Sequence, residues 1–155
     1  MKNLLLYALG ILFLVCSIST NSFAQKNMKK HELPPKVFSI DTNNDGNYEI
    51  SEIDEDSYPV PIQGNDQWKK DFYSKLLYPA SARRSGVSGI VILEIEVDET
   101  GKVTTVAIQQ GLSKECDETA RTAFINATKL GYYPYMVDKS PSKFKMEWPI
   151  GFWLE

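Results

Sequence analysis

Apolar residues recur along this chain with two different periods. From residue 144 to residue 154 every even position is apolar: Phe144, Met146, Trp148, Ile150, Phe152 and Leu154. The odd positions between them carry Lys145, Glu147, Pro149, Gly151 and Trp153. Successive side chains of a strand point to opposite faces, so a period of two predicts a closing strand with one apolar face. The same alternation runs through residues 90–97 (IVILEIEV), where Val91, Leu93, Ile95 and Val97 make a wholly apolar face. Asp98-Glu99-Thr100-Gly101 reads as a hairpin connection, with glycine where positive φ is expected. Residues 102–109 (KVTTVAIQ) form the return strand, and the opposite parities of Val103 and Val106 predict a bulge near Thr104-Thr105.

Elsewhere the period is helical. Trp68, Phe72 and Leu76 fall on one helical face, and Tyr78-Pro79 ends that helix because the residue before proline avoids the α region. Pro79 can then open a second short helix over 80–85. Cys116, Ala120, Ala123, Phe124 and Ala127 form a narrow stripe of mostly small residues, suited to close packing on a sheet. Ser113 or Asp117 can cap that helix, and Gly131 can stop it. The predicted class is α+β, with helices over one face of an antiparallel sheet. Pro149 cannot donate to a ladder, so the closing strand is expected at an edge, or with its Pro149 position on an unpaired side.

The start of the chain changes the picture. Lys2, the apolar stretch 4–18 and Ser22-Phe23-Ala24 read as a secretory signal, residues 1–24, cleaved before Gln25. Export from the cytoplasm follows. The alternative is an uncleaved signal that anchors the chain in the inner membrane, although the stretch is short of the roughly 20 residues a span needs. Residues 25–57 form a polar leader, basic at first and acidic over 41–56, and a packed domain begins near Tyr58 and runs to 155. Cleavage leaves Cys116 as the single cysteine, so no internal disulfide is expected. A pI near 5.3 argues against nucleic acid as a partner.

Five pieces in order carry a family resemblance. Tyr78-Pro79-x-x-Ala82-Arg83-x-x-Gly86-x-x-Gly89-x-Val91 opens the domain, and Asp98-x-x-Gly101-x-Val103 forms a hairpin. Cys116-Asp117-Glu118-x-Ala120 begins a helix, Tyr133-Pro134 follows it, and Pro149-Ile150-x-Phe152-x-Leu154 closes the chain. Together they resemble the C-terminal domain of the TonB energy-transducer family, and Tyr58-Pro59 with Gly64 resembles Bacteroidetes-type members. The resemblance implies two helices packed on a three-stranded antiparallel sheet. It implies a periplasmic, non-enzymatic module that supports transmembrane transport. Its partner would be an extended segment, the TonB box, of a TonB-dependent outer-membrane receptor, or another periplasmic protein. That segment adds to the final strand, which places the peptide-binding edge at Lys145, Glu147, Trp148, Ile150, Gly151 and Trp153. The 33-residue leader between Gln25 and Ser57 is not the long Pro-rich spacer of a full transducer.

Two other readings stand beside this one. Residues 41–52 (DTNNDGNYEISE) match the spacing of an EF-hand loop, with Asp41, Asn43, Asp45, Asn47 and Glu52 as oxygen donors for Ca2+ and Gly46 at the bend. The same residues also read as an Asn-Asp-Gly turn followed by a strand, Tyr48 to Ile53. A homodimer pairing its own edge strands is the third possibility. No catalytic constellation emerges. His31 is the single histidine and sits in the leader, Cys116 sits on an apolar stripe, and no phosphate loop or zinc spacing is present. Trp148 and Phe152 share the core parity, whereas Trp153 points the other way and is the aromatic available to a partner.

Overall fold

The computed structural model describes residues 38–50 and 58–154. The signal segment, its cleavage site, most of the leader and Glu52 lie outside the described residues. Among the described residues six strands and three helices follow in order: β1 (Phe38–Asp41), β2 (Glu49–Ile50), α1 (Asn65–Lys75), α2 (Ala80–Arg84), β3 (Gly89–Val97), β4 (Val103–Gln110), α3 (Lys114–Ala127), β5 (Tyr135–Val137) and β6 (Ser140–Phe152). The strands form one antiparallel sheet in the order β2-β1-β6-β3-β4, with β5 also paired to β6.

The α+β class predicted from periodicity is the class observed. The predicted sheet of three strands, β3, β4 and β6, is widened by three short ones. The alternation predicted for β3 holds: Val91, Leu93, Ile95 and Val97 are buried. Opposite them β6 supplies Phe144, Met146, Ile150 and Phe152, also buried. A bulge does form in β4, where Val97 pairs with Val103 but Glu96 pairs with Thr105, leaving Thr104 as the extra residue.

All three helices contribute to the core over this face. In α1, Trp68, Phe72 and the following Leu76 are buried, as their spacing requires. In α3 the stripe Cys116, Ala120, Ala123, Phe124 and Ala127 is buried throughout, and the Ser113 hydroxyl accepts from the Cys116 N–H at 3.3 Å to cap its start. Asp117 does not cap this terminus. Its carboxylate turns back to accept from the Leu112 N–H at 2.7 Å. Trp68 joins the layers: its ring stacks on Phe72 at 5.2 Å, meets Phe124 edge-on at 5.6 Å and lies 5.0 Å from Trp148 of β6. Such contacts add roughly 0.5–1.5 kcal/mol each beyond the area they bury.

The segment between α3 and β5 is stitched to two distant segments. Tyr132 N–H donates to the Gly101 carbonyl at 2.8 Å, and Tyr133 N–H donates to the Val60 carbonyl at 2.9 Å. The hairpin turn, the end of α3 and the entry to the domain therefore meet at one corner.

Candidate functional site

β6 lies inside the sheet, and its two halves have different neighbours. Along one side β3 pairs with it from Phe144 to Phe152. On the opposite side β1 covers four positions, Lys143 to Met146. From Glu147 to Phe152 none of the described residues pairs with it there. The expectation that the closing strand is an edge strand is thus corrected: it is interior, with one open stretch. Pro149 falls in that stretch, opposite Ile92 of β3. A ring nitrogen with no hydrogen loses no ladder bond where it faces an unpaired side, which is the other arrangement the sequence allowed.

The six expected edge residues divide into three environments. Lys145 is not at an open edge. Ser39 of β1 lies opposite it, its Nζ stands 2.5 Å from Glu96 Oε1, and the Tyr48 ring centroid is 4.4 Å from Nζ. The hydrogen bond from Lys145 holds the Glu96 carboxyl below its ordinary range, and the same bond raises the Lys145 ammonium. Thr105 Oγ1 donates to the other Glu96 oxygen at 3.0 Å, so a polar row crosses four strands.

Trp148 and Ile150 belong to the core face. Trp148 packs against Trp68 and lies 5.9 Å from Phe124. Ile150 is buried. Neither presents its side chain to an added strand on the solvent face.

Glu147, Gly151 and Trp153 remain, all on the face turned away from the helices. Glu147 sits opposite Glu94 of β3, and its Oε1 accepts from Gln109 Nε2 at 2.5 Å. Two carboxylates placed directly across a strand pair repel. The Trp153 side chain folds over Gly151, so that a Cβ on Gly151 would stand 2.5 Å from its Nε1. An aromatic ring covering a glycine shields backbone that would otherwise be bare. Trp153 Nε1 is itself buried with no hydrogen-bond partner.

Periodicity showed the faces of β6 and of β3 but missed β1 and the pairing of Glu94 with Glu147. The sequence signal for β1 is weak, a single FSID segment at the margin of an acidic run.

The EF-hand spacing meets a different architecture. The loop joins two antiparallel strands, with Ser39 opposite Ile50 and Ile40 opposite Glu49, where an EF-hand has helices. Asp41 is fully buried, and its carboxylate accepts from the N–H groups of Asp45 at 3.1 Å and Gly46 at 2.8 Å. The Asp45 carboxylate accepts from the Asn47 N–H at 2.8 Å, a bond that lowers its pKa. Asn43 and Asn47 are exposed. Among the described residues no three His, Cys, Asp or Glu side chains converge as a metal site. Cys116 is buried, and desolvation pushes its thiol pKa up, away from nucleophilic use.

Among the described residues no helix is long and apolar enough to cross a membrane. No curated protein matches the chain. Two solved structures resemble it, both solution structures of the Helicobacter pylori TonB C-terminal domain. One, of residues 179–285, is 21% identical with a TM-score of 0.47, over 58% of this chain and 79% of that one. The other, of residues 194–285, is 22% identical with a TM-score of 0.43, over 56% and 89%. Residues 74–154, more than half of the chain, match the family described as Gram-negative bacterial TonB protein C-terminal. The chain therefore belongs to the TonB C-terminal family, non-catalytic domains of periplasmic or membrane-anchored energy-transducing proteins.

Proposed function

We infer that this domain captures an extended peptide segment of an outer-membrane receptor by adding it as a strand to β6. The supporting observation is the stretch Glu147–Phe152, which has β3 on one side and no described partner on the other. Unpaired backbone groups along a strand are satisfied by a peptide laid beside them, and alternate side chains of that peptide then meet the two faces of the sheet. Pro149 contributes a carbonyl but no donor, so the docked segment is held by fewer main-chain bonds than a full ladder.

The solvent face sets a preference. Next to Glu147 and Glu94 an incoming basic residue relieves carboxylate repulsion, and next to Trp153 an apolar residue gains a ring to pack on. In this reading the domain works in the periplasm after loss of residues 1–24 and supports transport across the outer membrane.

The test is an NMR titration of the nitrogen-15-labelled chain with TonB-box peptides from receptors of the same cell. Saturable shifts at Glu147, Gly151 and Trp153 are expected. A folded sample whose spectrum does not move with any of these peptides would remove strand addition at β6 as the function.

A further inference from the structure

The opposite margin of the sheet carries a second, separate cleft. β4 is the outermost strand there, with β3 on its inner side only. Its core-side residues Val103, Val106 and Ile108 are half-exposed, whereas the residues opposite them on β3, Val97, Ile95 and Leu93, are sealed. The helical layer leaves these β4 side chains only partly covered. The result is a cavity of about 480 Å³ between β4 and the C-terminal end of α3. That volume suits one or two side chains of a bound peptide.

Its lining has a distinct chemistry. Val103 and Val106 line it from the sheet, and Ile125 and Leu130 from the helix and the turn after it. Ile125 is 41% exposed and Leu130 is 62% exposed, two large aliphatic side chains left in water beside each other's cleft wall. The charged residues of the lining are Lys102, Arg121 and Lys129, and no carboxylate is among them. Arg121 is shared with Glu118 at 3.1 Å on the exposed helix surface. Lys102, whose charge also acts on the Asp98 carboxylate beside the cleft, and Lys129 thus give a cationic rim to a chain whose formal charge is −3. Between the extra residues Thr104 and Gln109, positions 105–108 keep regular register with β3 and present one straight edge.

We propose that β4 and the α3 cleft form a second docking surface, for an extended acidic-apolar peptide segment of a protein partner. The segment pairs with the β4 edge, places an aliphatic side chain against Ile125 and Leu130, and sets a carboxylate between Lys102 and Lys129. Charge complementarity selects this occupant: an anionic segment meets only cations in the lining, and a basic one meets repulsion. The surface lies on the far side of β3 from the open stretch of β6, so both can be filled together.

The test uses the labelled full chain with a short synthetic peptide alternating Leu and Glu, and a twin in which Lys replaces Glu. The acidic peptide is expected to shift amides in Thr104–Ile108 and Arg121–Gly131, saturably, with the β6 amides unmoved. Lys129→Glu is expected to weaken it about tenfold, equivalent to losing one charge-paired contact of about 1.4 kcal/mol. Ile125→Glu, at an exposed position that leaves the fold intact by its spectrum, should abolish the shifts. Equal binding of the Lys twin, or no binding of either peptide, overturns the proposal. Shifts in this region on concentrating the protein alone would assign the edge to a second copy instead. Shifts with dodecanoate but not with peptide would assign the cleft to a lipid-like anion. Either outcome also overturns the proposal. Failure here leaves strand addition at β6 untouched, because the two readouts involve different amides.

Discussion

Gly101 and Gly131 pass each other backbone to backbone. A Cβ on Gly131 would stand 2.6 Å from the Gly101 carbonyl oxygen, and a Cβ on Gly101 would run into the Tyr132 carbonyl. Both glycines have positive φ, 87° and 77° respectively. The tip of the β3–β4 hairpin can therefore lie against the chain leaving α3 only because neither residue has a side chain. Gly131→Ala adds a clash with main chain to the roughly 1–2 kcal/mol cost of the left-handed conformation. A loss of at least about 2 kcal/mol is expected from urea denaturation, with Gly86→Ala, which meets nothing within 4 Å, losing less.

Trp68 gives a prediction of two parts. It touches Phe72, Phe124 and Trp148, so Trp68→Ala should cost about 3–5 kcal/mol. Its Nε1 is buried with no hydrogen-bond partner, a cost already carried by the native protein. Trp68→Phe keeps much of the ring contact and removes the orphaned N–H, and thermal melts should show it far closer to wild type than the alanine variant. Equal losses would mean that the indole nitrogen is satisfied in solution.

Acid sensitivity should be centred on Glu96. Its folded pKa lies below the ordinary 4.5, chiefly through the bond from Lys145. A carboxyl with a depressed folded pKa adds stability that is present above its unfolded value and is lost as pH falls through the folded one. Stability should then fall below about pH 4.5 more steeply in wild type than in Glu96→Gln, whose neutral side chain has no proton to take up in that window. Both groups are about a third exposed or less, and water and salt still screen the pair, so high salt should narrow the difference.

The cover on β6 can be lifted by one change. Ile40 is a β1 side chain that enters the core, and it is 6% exposed. Ile40→Asp should detach β1 while the rest of the sheet stays folded. Amide exchange should then accelerate at those of residues 143–146 whose N–H points to β1, while their neighbours that donate to β3 stay protected, and receptor peptides should bind more tightly because the open stretch is longer. Unchanged exchange at the β1-facing amides would show that β1 is held by more than Ile40.

What could be read in advance was which side of each element faces the core. Val91 to Val97, the α3 stripe and the even residues of β6 needed nothing but period, because burial is imposed one face at a time. What could not be read was who lies beside whom. A strand's neighbour is chosen by register across long stretches of chain, and β1 brings only four residues to the choice. Pro149 suggested an edge for the whole of β6, yet it constrains just one position and one side. The loop at 41–52 shows the same limit from the chemical side. Oxygen donors spaced for a cation are equally spaced to accept the loop's own N–H groups, and Asp41 does so. Trp153 points away from the core, as its parity requires, but it covers Gly151, which no periodicity could reveal.

The position of β6 also dictates an order of assembly. β3 and β4 are neighbours in the chain and can zip through their hairpin at once, whereas the strand between β1 and β3 is the last of the described strands to be synthesised. Its pairing with β1 closes a loop of roughly a hundred residues for four residue pairs, an entropic debt that slows folding and is settled late. Contacts made late and held by few pairs are the first to open in the native state. The short strand covering part of β6 is thus governed by an equilibrium of its own, and the length of open strand becomes a population rather than a fixed dimension.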